Sequence, residues 1–405
     1  MSNLIRAEYN PLMQVHRTAL RCGKCGLCRF IDNTKINDVR FSYICPSGAR
    51  FRFEEYWGSG KSELARGLMT QLGATKMELE FDERLLHALY TCTLCAGCQK
   101  MCEGIGKEPL RTITALREKA VLDGEAPLDR QKELIDSILE HGNPWGRKPA
   151  EKGRWAENVR AKDIRNVEAK TLFFAGCFTL NRRLAPNAEH AVRILLKLGL
   201  DVGVLGAGET CCGAAILNAG DRRNFEAHAA RHAAALNALG IETLVTACAS
   251  CHRILRDEYP DVADVNFEVV HFSEILAGKL EDGGLKLGGK LKMKVTYHDP
   301  CTLGRFSGLY DEPRRVIGAI PGVELVEMQR SRGNSWCCGA GSGGEVRAQY
   351  PEFAKWTAEE RLREARATGA EAIVTSCPFC EDMLSVGAGD IRVLDLAALA
   401  GAALE

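Results

Sequence analysis

The sequence predicts a multidomain protein in which an α-helical, cysteine-rich N-terminal domain precedes two copies of an α/β unit with parallel sheets. Two observations predict this class. Eight cysteines lie between helical stretches before residue 125, and from residue 169 onward short β-rich runs alternate with amphipathic helices. Such alternation is typical of βαβ units. The predicted parts are an N-terminal domain, a polar and basic linker and two α/β units, at residues 1–125, 126–168, 169–280 and 291–405.

The α/β region repeats its own pattern. The first copy contains TLFFAGC (171–177), a CCG tripeptide (211–213) and ETLVTACASC (242–251). The second copy contains, in the same order, KVTYHDPC (294–301), CCG (337–339) and EAIVTSCPFC (371–380). Repeats of this kind indicate a duplicated structural unit.

Composition and charge exclude several classes of protein. The 405 residues include 53 basic and 53 acidic side chains, so no bulk charge favours nucleic acid. No apolar run approaches the roughly 18 residues that a membrane span needs. The N-terminus has no continuous apolar segment of a secretion signal. We therefore expect a cytoplasmic protein without a membrane span of its own, associated with a membrane only through a partner.

The chain has 18 cysteines. Disulfide frameworks are typical of short secreted domains, and this chain is neither short nor visibly secreted. Closely spaced cysteines in a protein of this kind indicate metal binding instead.

Eight N-terminal cysteines have the spacing of [4Fe–4S] cubane ligands. One C-x-x-C-x-x-C run begins at Cys22 and a second, extended by C-x-x-x-C, begins at Cys92, while Cys45 stands alone. In two-cluster ferredoxins the fourth cysteine of one run ligates the other cluster. This rule assigns one cubane to Cys22, Cys25, Cys28 and Cys102, and the other to Cys92, Cys95, Cys98 and Cys45. Zinc is the alternative metal, but it takes two pairs of ligands and would leave the third cysteine of each run unused.

Ten further cysteines form two matching sets of five. They are Cys177, Cys211, Cys212, Cys248 and Cys251 in the first unit, and Cys301, Cys337, Cys338, Cys377 and Cys380 in the second. Most follow predicted strands, at the edge where open α/β sheets bind ligands. Five thiolates with an adjacent pair exceed what zinc or a cubane requires, so we expect a cluster with a bridging or additional thiolate.

The motifs resemble a known family. AGC, CCG, CASCH, HDPCTLGR, WCCGAGSGG and SCPFC resemble the twin CCG domains of heterodisulfide reductase, and FEEYWGSGKSELARGL (53–68) with the preceding cysteines resembles the ferredoxin part of the D subunit of that enzyme. The resemblance implies two cubanes that relay electrons to two noncubane [4Fe–4S] clusters in the CCG domains. The family also includes iron–sulfur subunits of glycolate, lactate and glycerol-3-phosphate oxidising complexes and of bifurcating assemblies.

Polar residues beside the CCG cysteines are candidates for proton or hydrogen-bond donation. His298 and Asp299 precede Cys301, and His252 follows Cys251. Either histidine could donate a proton or a hydrogen bond to a cluster, or could satisfy local hydrogen bonds only. Asp299 could instead cap the next helix.

Thr302 and Arg305, which follow Cys301 in the sequence, bear on the kind of substrate that the site could bind. Arg305 could face an anionic substrate or a neighbouring carboxylate, and the two alternatives stay open. Thr302 offers only a hydroxyl where a histidine would offer a proton donor. The predicted catalytic residues are His298, Asp299 and Arg305.

The sequence therefore predicts an oxidoreductase: the iron–sulfur subunit of a larger complex, with flavoprotein or other redox subunits as partners. One hypothesis adds disulfide/thiol chemistry on a small-molecule disulfide at a CCG site. The alternative is electron transfer alone, as the iron–sulfur partner of a flavin dehydrogenase. A zinc-stabilised scaffold is a third hypothesis.

Overall fold

The computed structural model describes residues 9–70, 80–102 and 108–404. Their first part is helical and packs around a core that includes Trp57, Leu89 and Leu116. Asp82 begins one of these helices by accepting a 2.7 Å hydrogen bond from the Leu85 N–H, a standard N-cap. The helices are α1 Pro11–Gln14, α2 His16–Leu20, α3 Pro46–Phe51, α4 Gly58–Thr70, α5 Glu83–Tyr90, α6 Gly97–Cys102 and α7 Pro109–Leu122.

The first α/β unit is a five-stranded parallel sheet in the order β1-β3-β2-β4-β5. Its strands are β1 Lys162–Asp163, β2 Thr171–Phe173, β3 Val202–Val204, β4 Thr243–Thr246 and β5 Glu268–His271. The accompanying helices are α8 Asp129–His141, α9 Pro149–Gly153, α10 Ala185–Lys197, α11 Ala214–Asn218, α12 Arg222–Asn237, α13 Ala249–Arg253 and α14 Phe272–Glu281.

The second unit is a four-stranded parallel sheet in the order β7-β6-β8-β9. Its strands are β6 Met293–His298, β7 Val323–Leu325, β8 Ala372–Thr375 and β9 Arg392–Asp395. Its helices are α15 Cys301–Ser307, α16 Asp311–Gly318, α17 Glu345–Gln349, α18 Pro351–Ala367, α19 Pro378–Ser385 and α20 Leu396–Ala402. Apart from the edge strand β1, the two sheets have the same strand order, so the predicted duplication with parallel sheets is confirmed.

The segment 126–168 is not the connector that its polar composition predicts. It contains α8 and α9, and β1 pairs in parallel with β3, with Lys162 opposite Gly203. Helix α8 also packs against α17 of the second unit. The segment is therefore a folded part of the first unit. Strand β1 and helix α9 are short, and the partner of α8 in the second unit is distant in sequence.

The two units pack against each other with reciprocal contacts. Helix α10 of the first unit contacts α20 of the second, and α14 contacts α16. Asn181 and Arg183, which follow β2, donate hydrogen bonds of 3.1 Å and 2.8 Å to Asp382 in α19. In the ranges that the structure describes, no helix has the length and apolarity needed to cross a bilayer.

Candidate metal centres

The first N-terminal centre is a pocket between the C-x-x-C-x-x-C loop and the start of α4. Lys24 and Gly26 have φ of 52° and 79°, which turns the loop around the pocket. Gly58 and Ser59 form the opposite wall, and the Ser59 hydroxyl lies 3.6 Å from the Cys28 sulfur. The structure brings to this pocket the four cysteines that the spacing assigned to one cubane, Cys22, Cys25, Cys28 and Cys102.

The second N-terminal centre lies directly behind the first. A Cβ built on Gly58 would be 3.0 Å from the Cβ of Cys98 and 3.5 Å from the Cβ of Cys28. Burial raises the pKa of Cys98 well above its usual range, and the neighbouring thiols, those of Cys92, Cys45 and Cys95, raise it further. Cys45 therefore lies among the cysteines of the second run, as the cross-ligation rule requires.

Replacement of Cys45 by alanine tests this assignment. We expect the cluster of Cys92, Cys95 and Cys98 to be lost, because one of its four ligands is removed. The matched variant Cys102→Ala should remove the other cubane instead. Electron paramagnetic resonance of the reduced variants distinguishes the two clusters. Loss confined to the Cys22 cluster in Cys45→Ala would show that the assignment is inverted.

The GSGKS segment at 58–62 forms part of this region. It is similar to the end of a phosphate-binding loop, but its lysine is bound within the protein. Lys61 is buried, and its ammonium donates to the carbonyl oxygens of Tyr56 at 2.6 Å and Glu55 at 3.2 Å. The Ser62 hydroxyl donates to the Gly58 carbonyl at 3.0 Å. These groups stabilise the start of α4 beside the two centres.

The second CCG site collects five thiols at the carboxyl ends of β6 and β8. The thiol of Cys337 contacts those of Cys301 and Cys338, the thiol of Cys338 contacts that of Cys380, and the thiol of Cys380 contacts that of Cys377. Cys301 is half-buried, whereas the other nine CCG cysteines are buried. Cys301 is therefore the CCG thiol that a molecule from solvent can approach.

His298 faces this set of sulfurs with a defined tautomer. Arg361 donates from Nε to His298 Nδ1 at 3.1 Å, and arginine is always a donor. The proton of the neutral imidazole is therefore on Nε2, which has no hydrogen-bond partner among the residues that the structure describes. A ring nitrogen of His298 and the sulfurs of Cys338 and Cys380 lie within 4.8 Å of one another. The ring of His298 thus lies beside these sulfurs, with its buried Nε2–H unpartnered in the described part of the chain. Its Nε2 proton is its only one, which argues against a role as acid.

The pKa of Cys338 reflects the same contacts. Hydrogen bonds from the thiols of Cys337 and Cys380 hold it well below its usual range, and His298 is a further donor. The site therefore favours a thiolate at Cys338, which is the form that ligates metal.

Asp299 is not a free carboxylate. It forms a bidentate pair with Arg314 at 2.7 Å and 3.0 Å and accepts the Arg332 N–H at 2.8 Å. It does not cap α15, because the residue before that helix is Pro300. Asp299 fixes the loops around the site and has no geometry for proton transfer.

Arg305 faces neither an anionic substrate nor a carboxylate. Its guanidinium donates to the carbonyl oxygens of Gly333 and Cys95, each at 2.9 Å, and to that of Ser335. Because Cys95 belongs to an N-terminal centre, Arg305 joins that centre to the second CCG site.

His252 also differs from its catalytic interpretation. It is buried, and its ring nitrogens lie 3.3 Å from the Ser307 hydroxyl and 3.5 Å from the Glu274 carboxylate. Burial, with Arg256, lowers its pKa to about 3. His252 satisfies local hydrogen bonds, which is the simpler of the two alternatives.

The first CCG site has its own row of thiols and a different environment. Contacts run in sequence through Cys177, Cys211, Cys212, Cys251 and Cys248. His228 Nε2 lies 2.7 Å from the Cys211 carbonyl oxygen. The Tyr259 hydroxyl donates to the Cys212 carbonyl oxygen at 3.2 Å. The buried Glu209 accepts the Ala175 N–H at 3.0 Å. Sequence reasoning missed these supporting residues, because they lie outside the cysteine motifs and no local pattern marks them.

Two further contacts connect the centres. The side chains of Cys95 and Cys337 belong to one buried cluster, and the Cys337 thiol, together with burial, raises the pKa of Cys95 well above its usual range. The thiol of Cys248 contacts that of Cys377 across the two α/β units. The buried thiols therefore form one unbroken row: Cys95, Cys337, Cys338, Cys380, Cys377, Cys248, Cys251, Cys212, Cys211 and Cys177.

The donor chemistry fits iron–sulfur clusters. All eighteen cysteines are free thiols, so no disulfide framework explains their number. Soft thiolates in sets of four and five select iron–sulfur clusters or zinc, and the orphaned Nε2–H of His298 suits the sulfur of a cluster ligand.

Comparisons with known proteins agree with this chemistry. A family model for the cysteine-rich domain, CCG, matches residues 171–256 and 295–385. The D subunit of the dihydromethanophenazine:CoB–CoM heterodisulfide reductase of Methanosarcina mazei is 32% identical over 92% of this chain and 90% of its own. The EtfAB:quinone oxidoreductase of Syntrophomonas wolfei is 28% identical over 91% of this chain and 55% of its own. The B subunit of the fumarate reductase (CoM/CoB) of Methanothermobacter marburgensis is 32% identical over 76% of this chain and 60% of its own.

Fold and site together define an iron–sulfur oxidoreductase subunit with twin CCG domains. Within that class the chain belongs to the family of heterodisulfide reductase D subunits.

Proposed function

We propose that this chain carries electrons within a larger redox complex, from two cubanes to two noncubane [4Fe–4S] clusters. Cys22, Cys25, Cys28 and Cys102 would hold the first cubane, and Cys92, Cys95, Cys98 and Cys45 the second. The two CCG sets would hold the noncubane clusters. Clusters of this type supply one-electron transfer steps. The observation that carries the proposal is the unbroken row of thiols from Cys95 to Cys177.

The row also supports an order of transfer. Cys95 contacts Cys337 of the second CCG site, and that site contacts the first through Cys377 and Cys248. Arg305 fixes the first of these junctions by holding the Cys95 carbonyl. Electrons would therefore reach the second CCG site before the first.

The entry point for electrons is the exposed edge of the first cubane site. Cys25 is exposed, and Leu20 and Leu27 beside it are each 48% exposed. Residues 9–70 contain ten basic and five acidic side chains, and the excess is basic even without the buried Lys61, although the whole chain is neutral. A partner redox subunit with an acidic face would fit this surface, because complementary charge steers association.

Disulfide reduction is the leading chemistry for the second CCG site. The S–S bond would break as two electrons arrive from the partner subunit, and two protons from solvent would give two thiols. Half-buried Cys301 supplies access, and buried His298 stabilises negative charge on sulfur. The relatives named as heterodisulfide reductase subunits support this chemistry.

Electron relay without a substrate is the second candidate. Asp299 and Arg305 are engaged in structural contacts, and Thr302 is buried after Cys301. The site therefore lacks an evident proton donor among the described side chains. The relative named EtfAB:quinone oxidoreductase supports this candidate.

An assay of the anaerobically purified native complex distinguishes disulfide reduction from electron relay without a substrate. CoB–CoM heterodisulfide and cystine serve as probes, with reduced methyl viologen as electron donor. Turnover of either disulfide by protein with its clusters intact supports reduction at the CCG site. If neither disulfide is reduced while electrons pass to or from a flavoprotein partner, the relay candidate replaces it.

A further inference from the structure

The two CCG sites differ at one equivalent position. In the first sheet Phe173 lies opposite Val245, and in the second Tyr297 lies opposite Val374. The next residues in the chain are Phe174 and His298, each three positions before the first cysteine of its set. The same place in the fold therefore holds an apolar ring in one site and an imidazole in the other.

The imidazole of the second site cannot change its orientation freely. Arg361, which sets the tautomer of His298, is fully buried and donates to Glu364 at 2.7 Å, to the Arg330 carbonyl at 2.8 Å and to the Ser335 hydroxyl at 3.3 Å. With its other nitrogens committed, Arg361 keeps Nε directed at His298. The Nε2–H of His298 is thereby left buried and unpartnered within the described ranges, on a ring that lies beside the sulfurs of Cys338 and Cys380.

The first site has a different arrangement. The Phe174 ring packs 5.8 Å from the ring of His232, which takes the place of Arg361. His232 Nδ1 lies 2.8 Å from the Tyr259 hydroxyl, and that hydroxyl donates to a backbone carbonyl. Phe174 has no N–H to offer to a sulfur.

We propose that Arg361 acts as a positioning residue that fixes His298 as a hydrogen-bond donor to the second CCG site, and that this makes it the site of higher reduction potential. A hydrogen bond to a ligand sulfur stabilises the more negative, reduced state and so raises the potential. Electrons would then accumulate at the second site, where Cys301 is accessible. The inference rests on the proposed function, because it requires a cluster in each CCG site.

Redox titrations followed by electron paramagnetic resonance test this, with variants that exchange the two environments. His298→Phe gives the second site the residue of the first, and we expect its potential to fall toward that of the other CCG site. The reciprocal Phe174→His should raise the potential of the first site. Glutamine has an acceptor for Arg361 and an N–H donor on one planar group. The potential of the second site in His298→Gln should therefore lie between those of His298→Phe and the wild type.

A spectroscopic readout identifies the hydrogen bond itself. Wild-type protein with ¹⁵N-labelled histidine should show coupling of one histidine nitrogen and one exchangeable proton to the reduced second site, and His298→Phe should abolish both. If His298→Phe keeps its full iron content and shows unchanged potentials and unchanged coupling, the inference about His298 is overturned, while the proposed function stands. Wild-type protein without iron in the CCG sites would instead overturn the proposed function.

Discussion

Replacement of Cys338 by serine is expected to abolish turnover of a disulfide substrate and to prevent electrons from reaching the first CCG site. Cys338 is in contact with the thiols of Cys337 and Cys380 and lies beside His298, so it is central to the second site. The loss should exceed the roughly 10–100-fold effect of removing an outer-shell partner of a metal. Because the cubane cysteines lie on the donor side of Cys338, both cubanes should remain reducible.

The matched variant in the other α/β unit is Cys212→Ser. It removes a thiol of the first CCG site, which lies at the far end of the row, so the second site should still be reduced through the cubanes. Freeze-quench electron paramagnetic resonance after mixing with reduced methyl viologen reports which centres are reduced. Rapid reduction of the first site in Cys338→Ser would contradict the proposed order.

Replacement of Arg117 by methionine is expected to destabilise the folded chain by about 3–5 kcal/mol, the range for removing one partner of a buried charged pair and leaving the other unpaired. Arg117 is fully buried in α7 and donates to the carbonyl oxygens of Asn218 at 2.6 Å, Leu89 at 3.0 Å and Cys92. It therefore joins the N-terminal helices to the first α/β unit. Burial raises the pKa of the Glu345 carboxyl, and Arg117 opposes that rise, so the variant also leaves this acid uncompensated.

Arg111→Met is the matched control on the same helix. The Arg111 side chain is 61% exposed and pairs with the neighbouring Glu108 at 2.9 Å, so we expect a change within about 0.5 kcal/mol. Anaerobic urea unfolding of both variants, followed by tryptophan fluorescence, gives the comparison. An equal, small effect of the two replacements would show that Arg117 does not hold the two parts together.

Much of the fold follows from local sequence signals. The change from eight clustered cysteines to alternating strands and helices predicts the parallel sheets, and the repeated CCG motifs predict the duplication. Strand β1 could not be predicted, because Lys162–Asp163 has only two residues and is strand-like only through its pairing with β3.

The cysteine sets are visible in the sequence because ligand spacing is local, whereas the roles of the polar residues are not. Asp299 pairs with Arg314, fifteen positions later, and Arg305 reaches Cys95, 210 positions earlier. The tautomer of His298 depends on Arg361, which lies in a helix without any motif. The contacts of Cys95 with Cys337 and of Cys248 with Cys377 join separate domains. Such contacts arise from packing between domains and leave no periodic signal.

The most direct test of the account is metal and sulfide analysis of the anaerobically prepared chain. Two cubanes and two noncubane clusters predict about sixteen iron and sixteen acid-labile sulfide per chain, with the broad visible absorbance of iron–sulfur proteins. Stoichiometric zinc with little iron would contradict the account and favour a zinc-stabilised scaffold.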